Sequence, residues 1–471
     1  MDVTAALTAG RVASATGGSL ESADPGMALA SVAIDSREVR PGGLFVAIRG
    51  ERADGHDYAR AAIEAGAALV LASRTVAVPH VLVPDTGAAL IDLARAHAAA
   101  LKATSRIQVA AITGSVGKTT AKDLLARICA AMGPTVAAKG SFNNRFGLPL
   151  TVLAATPDTR FLVLEMGANH VGEIAALAEV AAADVGVVLG VAPAHIGEFG
   201  SLEAIAAAKG ELPAALGPSA TAVLNADDPL VAGMATSARV VGFGVSPGAI
   251  VRLRSASTDD DGHLTASIST PAGAIRIPTA LIGAHQATNV LSAVAAGQVL
   301  GADLATIVEA LTHAGPDSPH RMALTHLPRG VRILDDSYNA SPTSAAAALE
   351  TLAKLASASG QRAWAVLGQM LELGADGEAA HRELGTLAGR LGLDRLVAVG
   401  EGARPAAEAA LEAGMDPRAV AFFEAVPSAR DLGTATAANT IILVKGSQAT
   451  GLWRLADALT APDDRQGATP C

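Results

Sequence analysis

Cysteine is scarce in this chain, which has 471 residues but only two cysteines, Cys129 and Cys471. The two lie far apart in the sequence, and neither belongs to a group of residues with the spacing of metal ligands. We therefore expect both to be free thiols that take no part in catalysis.

Long apolar runs without charge are also missing. Half of the residues are hydrophobic, yet no stretch of about 18 apolar residues is free of charge, so no membrane-spanning helix is predicted. The first residues, 1–4, lack a basic patch followed by an apolar run and a small-residue cleavage site. The expected location is the cytoplasm.

The chain has no excess of basic residues either. Its formal net charge is -10, whereas a nucleic-acid-binding protein would carry clustered lysine and arginine. We therefore expect no nucleic-acid partner and a small-molecule ligand instead.

What the chain does contain is an alternation of strand-like apolar runs with alanine-rich helical runs along most of its length. This alternation is typical of α/β proteins, in which helices cover parallel sheets. A chain of 471 residues exceeds the size at which one hydrophobic core keeps growing, so we expect several domains, each with a core. The predicted division is into three domains, at 1–105, 106–318 and 319–471.

The three predicted domains differ in their patterns. The first has short apolar runs around a Pro-Gly-Gly turn at 41–43 and is interpreted as a small substrate module. The second starts with a buried strand at 107–113 and turns to hairpin-like alternation near residue 259. The proline-rich segment 315–319 breaks any helix and is interpreted as a hinge before the third domain. Further strands are predicted at 161–164, 185–189, 222–224, 240–243, 331–334, 364–367, 396–399 and 441–444, and helices at 201–211, 285–299 and 304–313.

A strand end, a glycine turn and a helix start follow one another at 107–120, where residues 113–120 read Thr-Gly-Ser-Val-Gly-Lys-Thr-Thr. Backbone N–H groups at a helix N-terminus suit phosphate, and Lys118 adds a positive charge. The common form of this loop has an earlier glycine where this chain has Ile112, so the match is to a shorter variant. A turn that merely joins strand to helix is the alternative, but the order of elements favours ATP binding, with Thr119 as a magnesium ligand. The predicted ATP contacts are Gly114, Ser115, Val116, Gly117, Lys118, Thr119 and Thr120.

Three further polar residues are ambiguous when taken alone. Glu165 ends an apolar run at the carboxyl edge of the same predicted sheet, where it is either a metal ligand or a helix cap. His195 follows the next strand, and a structural histidine is the simpler interpretation. Lys209 lies in a helical run, where a solvated surface lysine is favoured.

Several motifs occur in the same order as in one known family and extend over nearly the whole chain. On these motifs the chain resembles the Mur ligases, which build the peptide of bacterial cell-wall precursors on a UDP-linked sugar. The motifs are Asp35-Ser36-Arg37, Pro41-Gly42-Gly43-Leu44-Phe45-Val46-Ala47, Asp54-Gly55-His56, the glycine loop, Glu165-Met166-Gly167, Pro319-His320-Arg321-Met322, Asp335-Asp336-Ser337-Tyr338-Asn339-Ala340 and Lys445-Gly446-Ser447.

Within that family, residues 141–151, Ser-Phe-Asn-Asn-Arg-Phe-Gly-Leu-Pro-Leu-Thr, are similar to the signature of the member that adds D-alanyl-D-alanine to UDP-MurNAc-tripeptide. The Asp-Asn-Pro-Arg signature of the diaminopimelate-adding member is missing, and residues 368–374 stand in its place. Ser341 and Gln448 depart from the residues that many members carry at these positions.

The resemblance implies an α/β fold of three domains. A small N-terminal domain binds UDP, a central P-loop mononucleotide-binding domain has a parallel sheet, and a C-terminal Rossmann-like domain closes over both. It also implies that ATP activates a carboxylate as an acyl phosphate, which D-alanyl-D-alanine then attacks, and that the enzyme is a monomer.

The resemblance further implies the roles of individual residues. Lys118, Lys209, His195 and Glu165 are the catalytic set, and two Mg²⁺ ions are held by Thr119 and Glu165 and by His195 and Lys209, the lysine being carbamylated. Asn289, Arg321 and Asp336 complete the ATP site. Ser36, Arg37, Asn143 and Asn144 bind the UDP substrate.

Other functions stay open at this point. A diaminopimelate- or lysine-adding Mur ligase and a folylpolyglutamate synthase-like ligase share the ATP chemistry but use other acceptors, and the asparagine-rich motif disfavours both. A non-enzymatic ATP-binding module would have no need of Glu165, His195 and Lys209, all of which are present.

Overall fold

The computed structural model describes residues 7–50, 53–193, 196–433 and 438–461, which form three sheets covered by helices. Within these ranges, no helix is both long enough and apolar enough to cross a membrane. Cys129 is a buried free thiol whose pKa is raised to about 12 by burial, as expected of an unreactive cysteine. Cys471 lies outside the described residues.

The first sheet has the strand order β1-β5-β4-β3-β2, in which only β1 is antiparallel to its neighbour. Its inner strands are buried along almost their whole length, as in parallel sheets covered on both faces. The strands are β1 (Ser19–Glu21), β2 (Val32–Ala33), β3 (Gly43–Val46), β4 (Ala67–Ala72) and β5 (His80–Leu82), and the helices are α1 (Ala9–Thr16), α2 (Ala59–Glu64) and α3 (Thr86–Thr104).

The central sheet contains nine strands in the described part of the chain, in the order β14-β13-β12-β11-β10-β9-β6-β8-β7. The strands from β7 to β12 pair in parallel, and β12, β13 and β14 form the predicted antiparallel hairpins. The strands are β6 (Gln108–Thr113), β7 (Thr135–Ala137), β8 (Phe161–Glu165), β9 (Val185–Val188), β10 (Thr221–Asn225), β11 (Arg239–Gly244), β12 (Val251–Thr258), β13 (His263–Thr270) and β14 (Gly273–Ile282).

Strand β6 is the point at which the order of the central sheet reverses. The chain leaves β6 for β7 and β8 on one side and then returns to β9 on the other. Ligands of open α/β sheets bind at the carboxyl ends of strands at such a point. The helices of this part are α4 (Lys118–Met132), α5 (Gly147–Leu153), α6 (Glu173–Ala178), α7 (Ile196–Phe199), α8 (Leu202–Ala215), α9 (Pro229–Ala232), α10 (Ala287–Val299) and α11 (Leu304–Leu311).

The third sheet has the order β15-β16-β20-β17-β18-β19 and is parallel except for β15. Its strands are β15 (Ala323–Leu327), β16 (Val331–Asp336), β17 (Arg362–Gly368), β18 (Arg395–Val399), β19 (Val420–Phe423) and β20 (Thr440–Lys445), and its helices are α12 (Pro342–Ser359), α13 (Gly377–Arg390), α14 (Arg404–Glu412) and α15 (Trp453–Thr460). Each predicted strand has a counterpart in the structure. The helix predicted at 285–299 begins at Ala287, after a 3₁₀ turn at Ala284–Gln286.

The segment between α11 and β15 is attached to the nucleotide helix α4. Ser318 donates a hydrogen bond to Asp123 over 3.0 Å, and Asp317 forms an ion pair with Arg127 one turn further along α4. The backbone φ angles of His320 and Met322 are positive, at 60° and 49°. These contacts attach residues 317 and 318, which lie within the predicted hinge, to α4.

One hydrophobic cluster spans the first and central sheets, in addition to the clusters that each sheet has on its own. Leu90 and Leu93 of α3 belong to the same buried cluster as Leu148 and Val152 of α5 and Leu164 of β8. The third sheet packs around two other clusters, one of which also contains Ile282 of β14. Helix α3 therefore packs its apolar side chains into a cluster to which both sheets contribute.

Replacing Leu90 with alanine tests the shared core. Leu90 is fully buried, and leucine-to-alanine changes in a core cost about 2–5 kcal/mol. Urea unfolding followed by circular dichroism should move to a lower midpoint. Fluorescence should not move, because both tryptophans, Trp364 and Trp453, lie in the third sheet and its helices.

Leu411→Ala is the matched control, because this leucine of α14 is 41% exposed and should cost about 0.5 kcal/mol or less. A parallel shift of the fluorescence midpoint in Leu90→Ala would contradict the expectation that the third sheet unfolds separately from the cluster around Leu90.

Candidate active site

The glycine loop joins β6 to α4 in a conformation that needs glycine at two positions. Gly114 and Gly117 have φ values of +151° and +83°, which residues with a Cβ rarely adopt. A Cβ on Gly114 would lie 2.9 Å from Leu189, and a Cβ on Gly117 would collide with the amide oxygen of Asn289. The loop therefore packs tightly against β9 and α10.

Ser115 and Lys118 hold the loop in shape. The Ser115 hydroxyl donates to the carbonyl of Ala192 over 3.0 Å and accepts from the Ala192 N–H over 2.9 Å. The ammonium group of Lys118 donates to the carbonyl of Gly114 over 2.8 Å. Loss of hydration lowers the pKa of Lys118, while the charge of Glu165 opposes this shift. The predicted loop is thus a tight turn at the start of α4, with its lysine bonded to the carbonyl of Gly114.

Glu165 is a buried carboxylate with one oxygen available for a ligand. It ends β8 beside Ile112 of β6 and is 1% exposed. Its Oε1 accepts a hydrogen bond of 2.7 Å from the amide of Asn143, whereas Oε2 has no partner among the described residues. An unpaired buried carboxylate oxygen is costly, and a cation is the ligand that would offset the cost.

Arg321 brings the third sheet to the phosphate loop. Its Nη2 donates a hydrogen bond of 3.0 Å to the Ser141 hydroxyl, which in turn lies 3.1 Å from the Thr119 hydroxyl. The guanidinium carbon stands 4.2 Å from the centre of the Tyr338 ring. Its Nε is buried without a partner among the described residues, so Arg321 has a donor left for an anionic ligand.

Lys209 of α8 is buried, contrary to its favoured interpretation as a surface lysine when taken alone. It is 3% exposed, and its ammonium nitrogen lies 5.5 Å from the centre of the Phe199 ring. No carboxylate of the described residues lies within ion-pair distance of it. Burial, assisted by the charge of Lys118, lowers the pKa of Lys209 to about 7.

Asn289 and Asp336 are both placed at this site, but each already has partners. The amide of Asn289 donates to Gln286 over 2.7 Å. Asp336, at the end of β16, is ion-paired with Lys445 and accepts a hydrogen bond of 3.2 Å from the N–H of Met322. His195 lies outside the described residues.

The residues predicted to bind the UDP substrate are spread over two regions. Ser36 and Arg37 lie in a 3₁₀ turn of the first domain, where the Arg37 side chain is 87% exposed and paired with Asp35. Hydrogen bonds from Arg37 lower the pKa of Asp35 to about 2. Asn143 orients Glu165, and Asn144 accepts hydrogen bonds from backbone N–H groups at the start of α5. In these contacts both asparagines shape the loop between β7 and α5.

Sequence reasoning assigned no role to Ser141 or Lys445. Ser141 belongs to the asparagine-rich motif, but a single serine carries little signal of its own. Lys445 stands in a recognised motif and ends β20, and its burial to 2% indicates an electrostatic role in holding Asp336. A charged residue at the carboxyl end of a buried strand was the signal that was available.

Three family models match the chain one after another. The model described as "Mur ligase family, catalytic domain" matches residues 29–113, "Mur ligase middle domain" matches 112–297, and "Mur ligase, glutamate ligase domain" matches 320–448. The matched residues run through all three sheets.

Two curated relatives carry the name UDP-N-acetylmuramoyl-tripeptide--D-alanyl-D-alanine ligase. The protein of Mycobacterium tuberculosis H37Rv is 42% identical over 501 residues, which covers 97% of this chain and 98% of that protein. The protein of Escherichia coli K12 is 35% identical over 393 residues, which covers 82% of this chain and 84% of that protein.

Two solved structures are similar over nearly the whole chain. A crystal structure of MurF from Acinetobacter baumannii has a TM-score of 0.85 and 29% identity, and covers 97% of this chain and 99% of that one. The MurF ligase from Thermotoga maritima, solved in complex with ADP, has a TM-score of 0.76 and 28% identity, with coverages of 91% and 97%.

Replacing Gly117 with alanine tests the loop geometry. The added Cβ meets Asn289 and the positive φ is strained, so binding of a fluorescent ADP analogue should weaken by at least about tenfold, equivalent to ~1–3 kcal/mol of backbone strain. Gly248→Ala is the matched control, because open space surrounds that position. Equal ADP affinity in the two variants would contradict the loop's role.

Proposed function

The chain belongs to the Mur ligase family, and on that premise we propose that it is an ATP-dependent ligase that joins D-alanyl-D-alanine to UDP-MurNAc-tripeptide. ADP and phosphate are the other products, and the reaction belongs to peptidoglycan precursor synthesis. The observation that carries the proposal is the likeness to relatives of that name along 97% of the chain. The carboxylate of Glu165 suits a metal ion, and the cationic side chains of Lys118 and Arg321 suit the phosphates of ATP.

The reaction follows from the charges that have to meet. A carboxylate oxygen of the tripeptide bonds to the γ-phosphorus of ATP as the bond from that phosphorus to ADP breaks, which gives an acyl phosphate. The amino group of the dipeptide then bonds to the acyl carbon, phosphate leaves, and the nitrogen loses a proton as the amide forms. Lys118 offsets the repulsion between the two anions of the first step.

Other residues around the loop would bind the nucleotide and the UDP substrate. The N–H groups of 114–120 would cradle the phosphates at the start of α4. Arg321 would use its free Nε on the nucleotide, and Asn289 and Asp336 would complete that side of the site. Ser36, Arg37, Asn143 and Asn144 are proposed for the UDP substrate, and the domain limits 1–105, 106–318 and 319–471 are kept as part of the proposal.

Magnesium fits the oxygen atoms around Glu165. The unpartnered Oε2 of Glu165 is a buried anionic oxygen, and such oxygens are the ligands that Mg²⁺ prefers. Thr119 and Glu165 would hold one ion, and His195 with Lys209 a second. When bound, these ions would neutralise charge on the phosphates.

Lys209 fits the second metal position only if its charge is changed. A neutral amine can bond to carbon dioxide and lose a proton to give a carbamate, which offers carboxylate-like oxygens. With a pKa of about 7, the amine of Lys209 is substantially neutral near physiological pH, whereas an ordinary lysine is not. In the described chain Lys209 is buried without an ion-pair partner, so no carboxylate there holds it in the charged form. We therefore propose the carbamate, together with a cytoplasmic, monomeric enzyme.

Product analysis tests the proposed acceptor. With ATP, Mg²⁺ and UDP-MurNAc-tripeptide, the purified chain should ligate D-alanyl-D-alanine but not diaminopimelate, lysine or glutamate offered in parallel, as mass spectrometry of the products would show. Ligation of a free diamino acid would instead support a diaminopimelate- or lysine-adding ligase.

Replacing Lys118 tests the role of the loop lysine. Lys118→Ala should lower turnover by at least about a hundredfold, because a charge that stabilises the transition state is lost.

Replacing Lys209 with alanine tests the carbamate. The Lys209→Ala enzyme should lose nearly all ligation, and added acetate should restore part of it by supplying the missing carboxylate, whereas added methylamine should not. Lys354→Ala, at an exposed lysine of α12, is the matched control and should keep normal turnover. An active Lys209→Ala enzyme would remove the carbamate from the mechanism.

A further inference from the structure

Ser141 joins the two sides of the site at a single hydroxyl group. Its Oγ lies 3.1 Å from the Oγ1 of Thr119, at the start of the nucleotide helix. The same oxygen accepts a hydrogen bond of 3.0 Å from Nη2 of Arg321, which precedes the third sheet. One side chain therefore contacts a candidate metal ligand and the arginine that closes the site.

The hydrogen-bonding capacity of a hydroxyl group indicates which of these groups donates and which accepts. When the oxygen of a threonine faces a metal ion, its proton points away and needs an acceptor. Ser141 Oγ is at hydrogen-bond distance to accept it, and a serine oxygen has a second lone pair for Arg321. Both lone pairs of the serine oxygen are then used.

The position of Ser141 is anchored to the helix that carries Thr119. The buried ammonium group of Lys122 donates to the carbonyls of Ala138 and Gly140 over 2.6 and 3.1 Å, and it pairs with Asp123 over 2.6 Å. The backbone just before Ser141 thus moves with α4. Of the two side chains that contact Ser141 in the described chain, Thr119 belongs to α4, whereas Arg321 belongs to the segment that leads into the third sheet.

We propose that Ser141 is a positioning residue that orients the Thr119 hydroxyl towards magnesium when Arg321 arrives from the third domain. The proposal rests on the proposed function for the identity of the metal and nucleotide. Its consequence is that magnesium-dependent nucleotide binding and closure of the third domain reinforce each other through one serine.

Nucleotide binding measures this coupling without the ligation reaction. In Ser141→Ala, the affinity for ADP measured by calorimetry should fall about tenfold or more in the presence of Mg²⁺, as expected for loss of a hydrogen bond to a charged group, and change less than about twofold in EDTA. Ser141→Thr keeps the hydroxyl and should restore the magnesium effect. Ser105→Ala removes a serine hydroxyl whose one hydrogen bond among the described residues is to the carbonyl of Leu101 at the end of α3, and it should behave as wild type.

A double-mutant cycle tests the link to Arg321. If Ser141 acts together with the arginine, the losses of Mg·ADP affinity in Ser141→Ala and Arg321→Ala should not add in the double variant. In steady-state assays, Ser141→Ala should raise the Mg²⁺ concentration for half-maximal turnover about tenfold, with the KM for the UDP substrate nearly unchanged.

Each result decides for or against the proposal. Additive losses, or a Ser141→Ala enzyme with the Mg²⁺ response of Ser105→Ala, would overturn the role of Ser141. Unliganded melting temperatures check that the variants fold, and Ser141→Thr keeps the test decisive if Ser141→Ala does not. Failure to ligate D-alanyl-D-alanine would count against the proposed function alone, because the ADP measurements do not use the acceptor.

Discussion

A carboxylate buried with one oxygen unbonded is the constraint on which the rest of the site depends. Glu165 ends β8, the strand next to the edge strand β7 of the central sheet, and only Asn143 satisfies one of its oxygens in the described chain. Leaving such a group without a counter-charge costs several kcal/mol or so. Lys118 and Arg321 are cations near this carboxylate in the described chain, and the proposed magnesium would balance its charge directly.

Helix α4 contacts both the charged site and the segment that leads to the third domain. Its first turn closes the phosphate loop, Lys122 holds the backbone that leads to Ser141, and Asp123 and Arg127 hold the segment that enters the third domain. The loop and the segment that enters the third domain are therefore attached to the same helix. The first domain, by contrast, is joined to the central sheet through an apolar core, which favours a fixed arrangement of those two parts.

Prediction from sequence worked where one local pattern carries the information. Apolar runs predicted several strands in each of the three sheets, and the glycine loop lies between β6 and α4 as expected, since strand, turn and helix each have a local signature. Lys209 shows the limit: an alanine-rich helix with a lone lysine predicts exposure, but packing of α8 against the sheet buries it. Ser141 shows a second limit of sequence-based prediction, because its proposed role depends on Thr119 and Arg321, which are distant from it in the sequence.

The sequence by itself determined the α/β class, the phosphate loop, the family resemblance and the set of polar residues available for chemistry, because motifs and periodicity are properties of neighbouring residues. Only the tertiary structure decided that the first two domains share a core, that residues 317 and 318 are pinned to α4, and that Thr119, Ser141 and Arg321 meet. Burial and hydrogen bonding depend on which distant segments pack together, and no local pattern records that.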